Sequence, residues 1–449
     1  MMLPTQSLPF DPADPKAALV QLPQAPAVFA LYGEEAHFEP YIGRTPNLRG
    51  RLERLLQPSA KHPRRLQLAG RVRRIEWRLT GSEFESLLLQ FELLEKVYGK
   101  KCLERMHLGA PAFVRFLGGN PYPRIVVTHR PSLREADWAY GPFQSRTAAE
   151  RFADEALKLF LLRRCTDELD PNPSHPGCVY SEMKMCLAPC YQGCTDERYG
   201  EEAAAVENFL ATRGESRLVQ LRAERDQASA SLEFESAAVL HALAQRVEAV
   251  RALAPELVRP LSQLRAVILQ ASTNPDEVAV FLFENGRLRG PAAFSTIGMR
   301  IQNEQSGSTS LFAHPMAMEP IPEAPGIRGQ GSGISLDRSG EPIPEETLSE
   351  ALSAGIHASE AAPVKIPRGV LEARMEAVLA ALAEPSAAPS ATLRQGHLAL
   401  LKRWYYRPEA RRVGEIFFFG PEGHWAIKAI LRGVGRVAGS RFKVSASGS

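Results

Sequence analysis

Five of the six cysteines fall between residues 165 and 194, and four of them, Cys165, Cys178, Cys186 and Cys190, are spaced C-x12-C-x7-C-x3-C. In a reducing compartment such a group reads as soft thiolate ligands for a metal centre rather than as disulfides. Pro189 keeps Cys186 and Cys190 out of a regular helix, so a loop is expected to turn both sulfurs toward one centre. Four thiolates suit zinc and an iron-sulfur cluster alike; spacing does not choose, and unrelated buried thiols are the plainer alternative. Cys194 follows without an assigned role, and Cys102, far upstream, reads as a core residue. A second chemically pointed stretch runs from residue 41 to 80. It holds eleven Arg or Lys, among them Arg44, Arg49, Arg51, Arg54, Arg64, Arg65, Arg73 and Arg74, against Glu53 and Glu76. Such local density in a chain of net charge +3 is the footprint of a polyanion partner, with a solvated basic helix face as the alternative.

The elements that must carry these residues are legible as an α+β pattern. Val28 to Tyr32 and Pro40 to Ile42 read as strands joined by the turn Gly33-Glu34-Glu35, and Asn47 opens a helix through Leu55. The run Arg73-Ile75-Trp77-Leu79 alternates like a strand. Ser82-Glu83-Phe84-Glu85 is a capping-box signature, with Ser82 as N-cap and Glu85 as its partner, before an apolar helix through Leu87, Leu88, Phe91 and Leu94. A small α/β domain over 20–105 is expected from these elements. A linker region with the cysteine cluster follows over 106–195, containing a strand at Ile125 to Val127 and a helix from about Thr147 to Leu162. Residues 196–255 pattern as a helical hairpin broken at Gly214, and 256–318 as a β-rich segment whose Glu284-Asn285-Gly286-Arg287 is a hairpin turn. The Pro, Gly, Ser and Glu-rich stretch 319–367 reads as a linker, and 368–449 as a small helical and β region.

Length alone, 449 residues at 44% apolar content, calls for more than one core. No apolar run approaches a membrane span, and Met1-Met2-Leu3-Pro4-Thr5-Gln6 lacks the basic and apolar regions of a leader. A cytoplasmic protein without a membrane partner is expected.

Three segments carry a resemblance. Tyr41-Ile42-Gly43-Arg44-Thr45-Pro46-Asn47-Leu48-Arg49-Gly50-Arg51-Leu52, preceded by Pro26-Ala27-Val28-Phe29-Ala30-Leu31-Tyr32, resembles the two halves of a GIY-YIG nuclease motif. Leu162-Arg163-Arg164-Cys165, Cys178-Val179-Tyr180 and Cys186-Leu187-Ala188-Pro189-Cys190 resemble the cysteine region of the UvrC family of excinucleases, and Tyr140-Gly141-Pro142-Phe143 resembles the segment before it. Leu232-Glu233-Phe234-Glu235-Ser236-Ala237-Ala238-Val239-Leu240 is similar to the UVR motif by which that family binds UvrB. The resemblance covers about residues 20 to 255. It implies nucleotide excision repair, DNA as partner, and an iron-sulfur cluster, most simply 4Fe-4S, on Cys165, Cys178, Cys186 and Cys190, with zinc as the alternative. It also implies UvrB docking through Phe234 and Leu240 as apolar anchors, with Ala237 and Ala238 permitting close approach. An ordinary hairpin burying its own seam is the rival reading.

By the same resemblance Tyr41, Arg44 and Arg51 are catalytic residues of a phosphodiester hydrolase using Mg or Mn. Such a reaction needs an activated water, a metal to offset phosphate charge, and cations for the transition state. The chain departs from the pattern at three places. Phe29 stands where the family has a tyrosine, Gln90 where it has its metal-binding glutamate, and Cys102 where it has an asparagine. Gln90 offers one amide oxygen without the charge that holds a divalent cation. Glu85 is already used at the helix cap, Glu92 points from another helix face, and Tyr32 lies on the opposite strand face from Phe29. Impaired incision is therefore expected. The family's second nuclease half is not matched: residues 265 to 294 resemble only its β-rich lead-in, closer to the shortened homologue Cho. The competing readings are a metal-dependent nicking enzyme, a module that binds DNA and UvrB without cutting, and a zinc-binding DNA regulator.

Overall fold

The computed structural model describes residues 6–34, 39–57, 68–130, 138–299, 301–302, 309–310, 366–384, 387–420 and 422–446. The stretch expected as a linker lies outside these residues except for its last two, and so do Arg64 and Arg65.

The first sheet joins β1 (Gln6–Pro9), β2 (Ala27–Gly33), β3 (Tyr41–Thr45) and β4 (Val72–Leu79) in the order β1-β4-β2-β3, all antiparallel. Ala27, Phe29, Leu31, Ile75 and Trp77 alternate onto one face, where they meet Leu48 and Leu52 of α2 (Leu48–Leu56) and Leu19 of α1 (Pro15–Leu19). Asn47 caps α2 as its residue type suggests, its side chain accepting from Gly50 N at 2.9 Å. Ile42, on the other face, packs toward α3 (Glu83–Tyr98).

Ser82 caps α3 through Glu85 N at 3.1 Å. The expected reciprocal bond differs in its donor: the Glu85 carboxylate accepts from Gly81 N at 2.8 Å, one residue before the cap. Phe84, Leu87, Leu88, Phe91 and Leu94 are buried, and they bury against the far part of the chain. Phe84 meets Phe281 edge-on at 5.2 Å and Trp404 at 5.5 Å. After α3 a short helix α4 (Cys102–Arg105) buries Cys102 in the same core, the place its apolar character suggests.

A second sheet, β6-β5-β7-β8, is built from β5 (Ala112–Phe116), β6 (Ile125–Thr128), β7 (Ala139–Phe143) and β8 (Arg259–Pro260). Its core is shared with α5 (Arg146–Leu157), α7 (Asp196–Ala211), α8 (Glu215–Ala230) and α9 (Phe234–Ala252). Helix α5 ends at Leu157, short of the expected Leu162. Glu202 of α7 takes the N–H of Leu161 at 2.7 Å, and Arg164 donates to Leu157 O at 2.9 Å, so side chains pair the backbone where the chain leaves the helix. A one-turn helix, α6 (Val179–Glu182), interrupts the cysteine loop.

The third sheet, β11-β10-β9-β14, consists of β9 (Ala266–Ala271), β10 (Glu277–Glu284), β11 (Arg287–Ser295) and β14 (Glu415–Phe418), with a two-residue pair β12 (Ile301–Gln302) and β13 (Thr309–Ser310) beside it. Asn285 and Gly286, both at positive φ, make the tight turn expected between β10 and β11. Strand β10 is apolar on both sides because both are covered. Ala279, Phe281 and Phe283 face α3 and α11 (Ala391–Tyr405), while Val278, Val280 and Leu282 face α10 (Arg368–Ala383) and α12 (Ile427–Ala446). Strand β14 pairs with β9, so the two stretches read separately in the sequence, 256–318 and 368–449, share one sheet.

Candidate functional site

Phe29 and Gly43 are directly opposite across β2 and β3, and a Cβ on Gly43 would sit 2.8 Å from Cζ of Phe29. Glycine is required there so that the ring can lie across the strand. The ring is 1% exposed and stands 6.1 Å, tilted, from that of Tyr41, which is 38% exposed at the sheet edge. The structure thus brings Phe29, Gly43 and Tyr41 together, and of the two rings only the outer one carries a hydroxyl. Arg44, three residues along β3, projects to the other side and meets Glu83 of α3 at 3.5 Å. Arg51 is half-buried on α2, and among the described residues no carboxylate pairs with it. Gln90 is half-buried on α3, and no described contact joins it to Tyr41, Arg44 or Arg51.

Other arginines of the basic stretch are held by backbone carbonyls, carboxylates and one aromatic ring. Arg49 Nε donates to Leu22 O at 2.7 Å and Arg54 Nε to Gly50 O at 2.9 Å. Arg73 donates to Gly70 O and pairs with Glu34 at 3.3 Å; Arg74 lies over the Tyr32 ring at 4.5 Å and pairs with Glu76 at 3.2 Å. Arg54, Arg73 and Arg74 are exposed, whereas Arg49 is partly withdrawn into the structure.

Two carboxylates near Gln90 have the electrostatics of an interior. Burial raises Glu85 above the usual carboxylate range, and burial pushes Glu92 up to about 7 despite the pull of Arg287 and Arg78. Among the described residues no group of three or more His, Cys, Asp or Glu side chains is set to hold a metal ion. On α3, Gln90 offers a neutral amide.

The cysteine loop is organised by a residue to which the sequence assigned no role. Arg163 is 1% exposed; its guanidinium donates to Tyr122 O at 2.9 Å and Asp167 O at 2.8 Å, and its Nη1 lies 3.7 Å from Cys165 Sγ. Its backbone N–H donates to Tyr199 Oη at 3.2 Å. An arginine beside the first cysteine was the available signal, but only burial shows that it is a cation with no described carboxylate partner. Ala188 N donates to Cys186 Sγ at 3.1 Å. Burial raises the Cys186 thiol, and Cys178, Cys165 and Cys190 raise it further, while among the described residues the cysteines form no group set to hold a metal ion. Lys184, Ala188 and Gln192 all hold positive φ although none is glycine, a concentration of backbone strain within one loop.

The hairpin α8–α9 packs its seam through Leu218, Leu221, Ala244, Val247 and Val250. Its tip is different. Phe234 is 65% exposed and Leu232 73%, with Val239 and Leu243 also in solvent. Ala238 is exposed, whereas Ala237 is partly buried and Leu240 is partly buried at the edge of the seam. No described helix is long and apolar enough to cross a membrane.

With this geometry in place, two family patterns match the chain in succession: the UvrC-like GIY-YIG domain over residues 25–100 and the UvrC/Cho excinuclease middle domain over residues 114–209. Similar curated proteins carry the name UvrABC system protein C. That of Alcanivorax borkumensis is 27% identical over 283 residues, 63% of this chain and 46% of that protein. That of Pseudomonas protegens is 29% identical over 230 residues, 51% and 37%, and that of Ruminiclostridium cellulolyticum 29% over 276 residues, 61% and 44%. The chain thus spans less than half the length of these relatives. No solved structure matches it. Over residues 25–100 and 114–209 the chain thus matches, in succession, two domains of the UvrC/Cho excinuclease family, and its N-terminal half is similar to the proteins that carry that name.

Proposed function

We propose that the protein acts in nucleotide excision repair or a related DNA-processing pathway, binding DNA with the basic face of residues 41–80 and UvrB with the hairpin tip, while its GIY-YIG site incises weakly. The observation that carries the reading is the Phe29, Gly43 and Tyr41 arrangement. The motif's scaffold is kept to the point of requiring glycine under the first ring, yet that ring has no hydroxyl and α3 offers Gln90 in place of a carboxylate. Tyr41, exposed at the sheet edge, and Arg51, without a described carboxylate partner, are accessible to a phosphodiester: the hydroxyl to relay a proton, the guanidinium to offset phosphoryl charge. Arg44 is drawn toward Glu83, which lowers its share in that task.

The cysteine loop supports an iron-sulfur cluster on Cys165, Cys178, Cys186 and Cys190, with zinc as the alternative. Thiolates at these four positions would be held by the iron ions, and the buried Arg163, whose Nη1 lies 3.7 Å from Cys165 Sγ, would offset the net negative charge of such a cluster. The cluster's place in the protein is structural on this reading, since it lies in the unit that holds the hairpin.

A nicking assay on damaged duplex with Mg or Mn, with and without UvrB, tests the whole. Weak or absent nicking by the natural chain is expected, alongside salt-sensitive DNA binding. Gln90→Glu combined with Phe29→Tyr should raise nicking by about tenfold or more, the scale on which one misplaced catalytic group acts. Robust metal-dependent nicking by the natural chain, abolished by Tyr41→Phe or Arg51→Ala, overturns the weakened site. A second reading, docking without any cutting, is favoured by the same two residues and is the outcome if the restored pair stays inert.

A further inference from the structure

A cleft of about 410 Å³ opens in the middle unit, and its lining includes no residue of the GIY-YIG sheet, the cysteine loop or the hairpin tip. It is lined by Tyr140 of β7, Arg213 from the α7–α8 turn, and Glu248, Arg251, Ala252 and Ala254 from the end of α9 and beyond. The turn is built to deliver arginines. Arg213 and Gly214 both adopt positive φ, and a Cβ on Gly214 would lie 2.8 Å from Cγ of Arg251, so glycine lets the Arg251 stem cross the turn. Arg259 joins from β8, paired across the sheet with Gly141, next to Tyr140.

The charges there do not balance. Arg213, Arg251 and Arg259 all act on the buried Tyr140 hydroxyl, which burial nevertheless pushes up to about 12. Arg251 has Glu215 at 2.9 Å. Arg259, buried, has its nearest carboxylate, Glu256, only at 4.0 Å, and burial together with the like charge of Arg213 brings its pKa down to about 10. Glu248 lines the cleft, but its Oε1 accepts from Arg222 at 2.8 Å. Arg213 has no carboxylate partner among the described residues; its guanidinium is hydrogen-bonded to the Tyr140 hydroxyl oxygen, its Nη2 donates to Pro255 O at a long 3.4 Å, and its Nε is buried without an acceptor. Guanidinium groups gathered this closely, with an O–H donor beside them and an unused buried N–H, are stabilised by an anion that accepts several hydrogen bonds at once.

We propose that this cleft is a phosphate-binding site, in which Arg213, Arg251 and the Tyr140 hydroxyl donate to one phosphate group of a nucleotide or of a nucleic-acid strand. The space exceeds a lone phosphate, and Ala252 and Ala254 offer an apolar wall for what the phosphate is attached to. This does not rest on incision at the GIY-YIG site.

The test is a phosphorus NMR and calorimetric titration of the full chain with three probes: inorganic phosphate, deoxyadenosine monophosphate and a short single-stranded oligonucleotide. Saturable binding of at least one probe is expected, weakened about tenfold or more by Arg213→Gln, as for loss of a charge-assisted donor. Tyr140→Phe keeps the packed ring and should weaken the same probe by a smaller factor; it carries the test if Arg213→Gln lowers the melting temperature. Binding of the free phosphate probes assigns a small-molecule source, and binding of the oligonucleotide alone assigns a strand; either supports the site. No saturable binding, or equal binding by the natural chain and both variants, overturns it. Loss of duplex binding by changes on the 41–80 face leaves the free-phosphate result untouched, so the two readings fail separately.

Discussion

Glu83, the first residue of α3, accepts from both Nη atoms of Arg407 at 2.8 Å each, across 324 positions of sequence, and stands 3.5 Å from Arg44. The carboxylate thereby ties the strand that carries Tyr41 to the end of α11. Arg407 holds the Glu83 carboxyl below its usual range, so this contribution is present above about pH 4.5 and is lost as pH falls through the lowered value. Both groups are partly exposed, so a double-mutant cycle of Glu83→Ala and Arg407→Ala should give a coupling of about 0.5–1 kcal/mol at neutral pH, vanishing in acid. A coupling indistinguishable from zero at both pH values removes the tie.

Glu92 makes the opposite pH prediction. Its folded pKa, about 7, lies above the ordinary 4.5, so the folded state binds its proton more tightly and stability from this group declines as pH rises from about 4.5 through 7. Glu92→Gln should therefore gain about 1–3 kcal/mol relative to the natural chain between acidic and mildly alkaline solution, measured by urea unfolding at several pH values. His397, buried and depressed to about 3, titrates in both proteins and cancels in the comparison. A difference that does not change with pH disproves the raised carboxyl.

For the hairpin, exposure separates partner binding from folding. Phe234→Ala should leave thermal stability within about 0.5 kcal/mol, because the ring is largely in solvent. It should weaken UvrB binding by about 2 kcal/mol, roughly thirtyfold, as expected of an aromatic anchor. Calorimetry with UvrB of the same organism decides, and unchanged affinity returns the tip to an ordinary solvent-facing turn.

At the cysteine loop, anaerobically purified protein should carry iron and sulfide, with Cys186→Ser losing most of both. Arg163→Leu should also lose metal, since the buried cation then no longer offsets a thiolate cluster, and it should destabilise the loop by about 3 kcal/mol through the hydrogen bonds left unmade. Stoichiometric zinc without iron would falsify the iron-sulfur assignment while leaving a four-thiol site.

Local physics made much of this molecule legible in one dimension. Ser82 and Asn47 announce helix starts because a side-chain oxygen three residues before a free N–H is a local interaction. Asn285-Gly286 announces a tight turn because only such residues tolerate two positive φ values in succession. The cysteine spacing, the basic run, and the residue types at positions 29 and 90 were equally readable, since they depend on residue type alone. Partners distant in sequence were not. Nothing near Glu83 points to Arg407, and nothing near Gly396 shows that α11 must lack a side chain where Phe91 of α3 lies against it. Strand β14 likewise gives no local sign that it closes on β9, because pairing is chosen by which edge remains open after β9, β10 and β11 have formed. The same limit hid the charge of Arg163 and the cleft around Arg213: whether an arginine is a solvated surface group or an uncompensated cation depends on what the folded chain places around it.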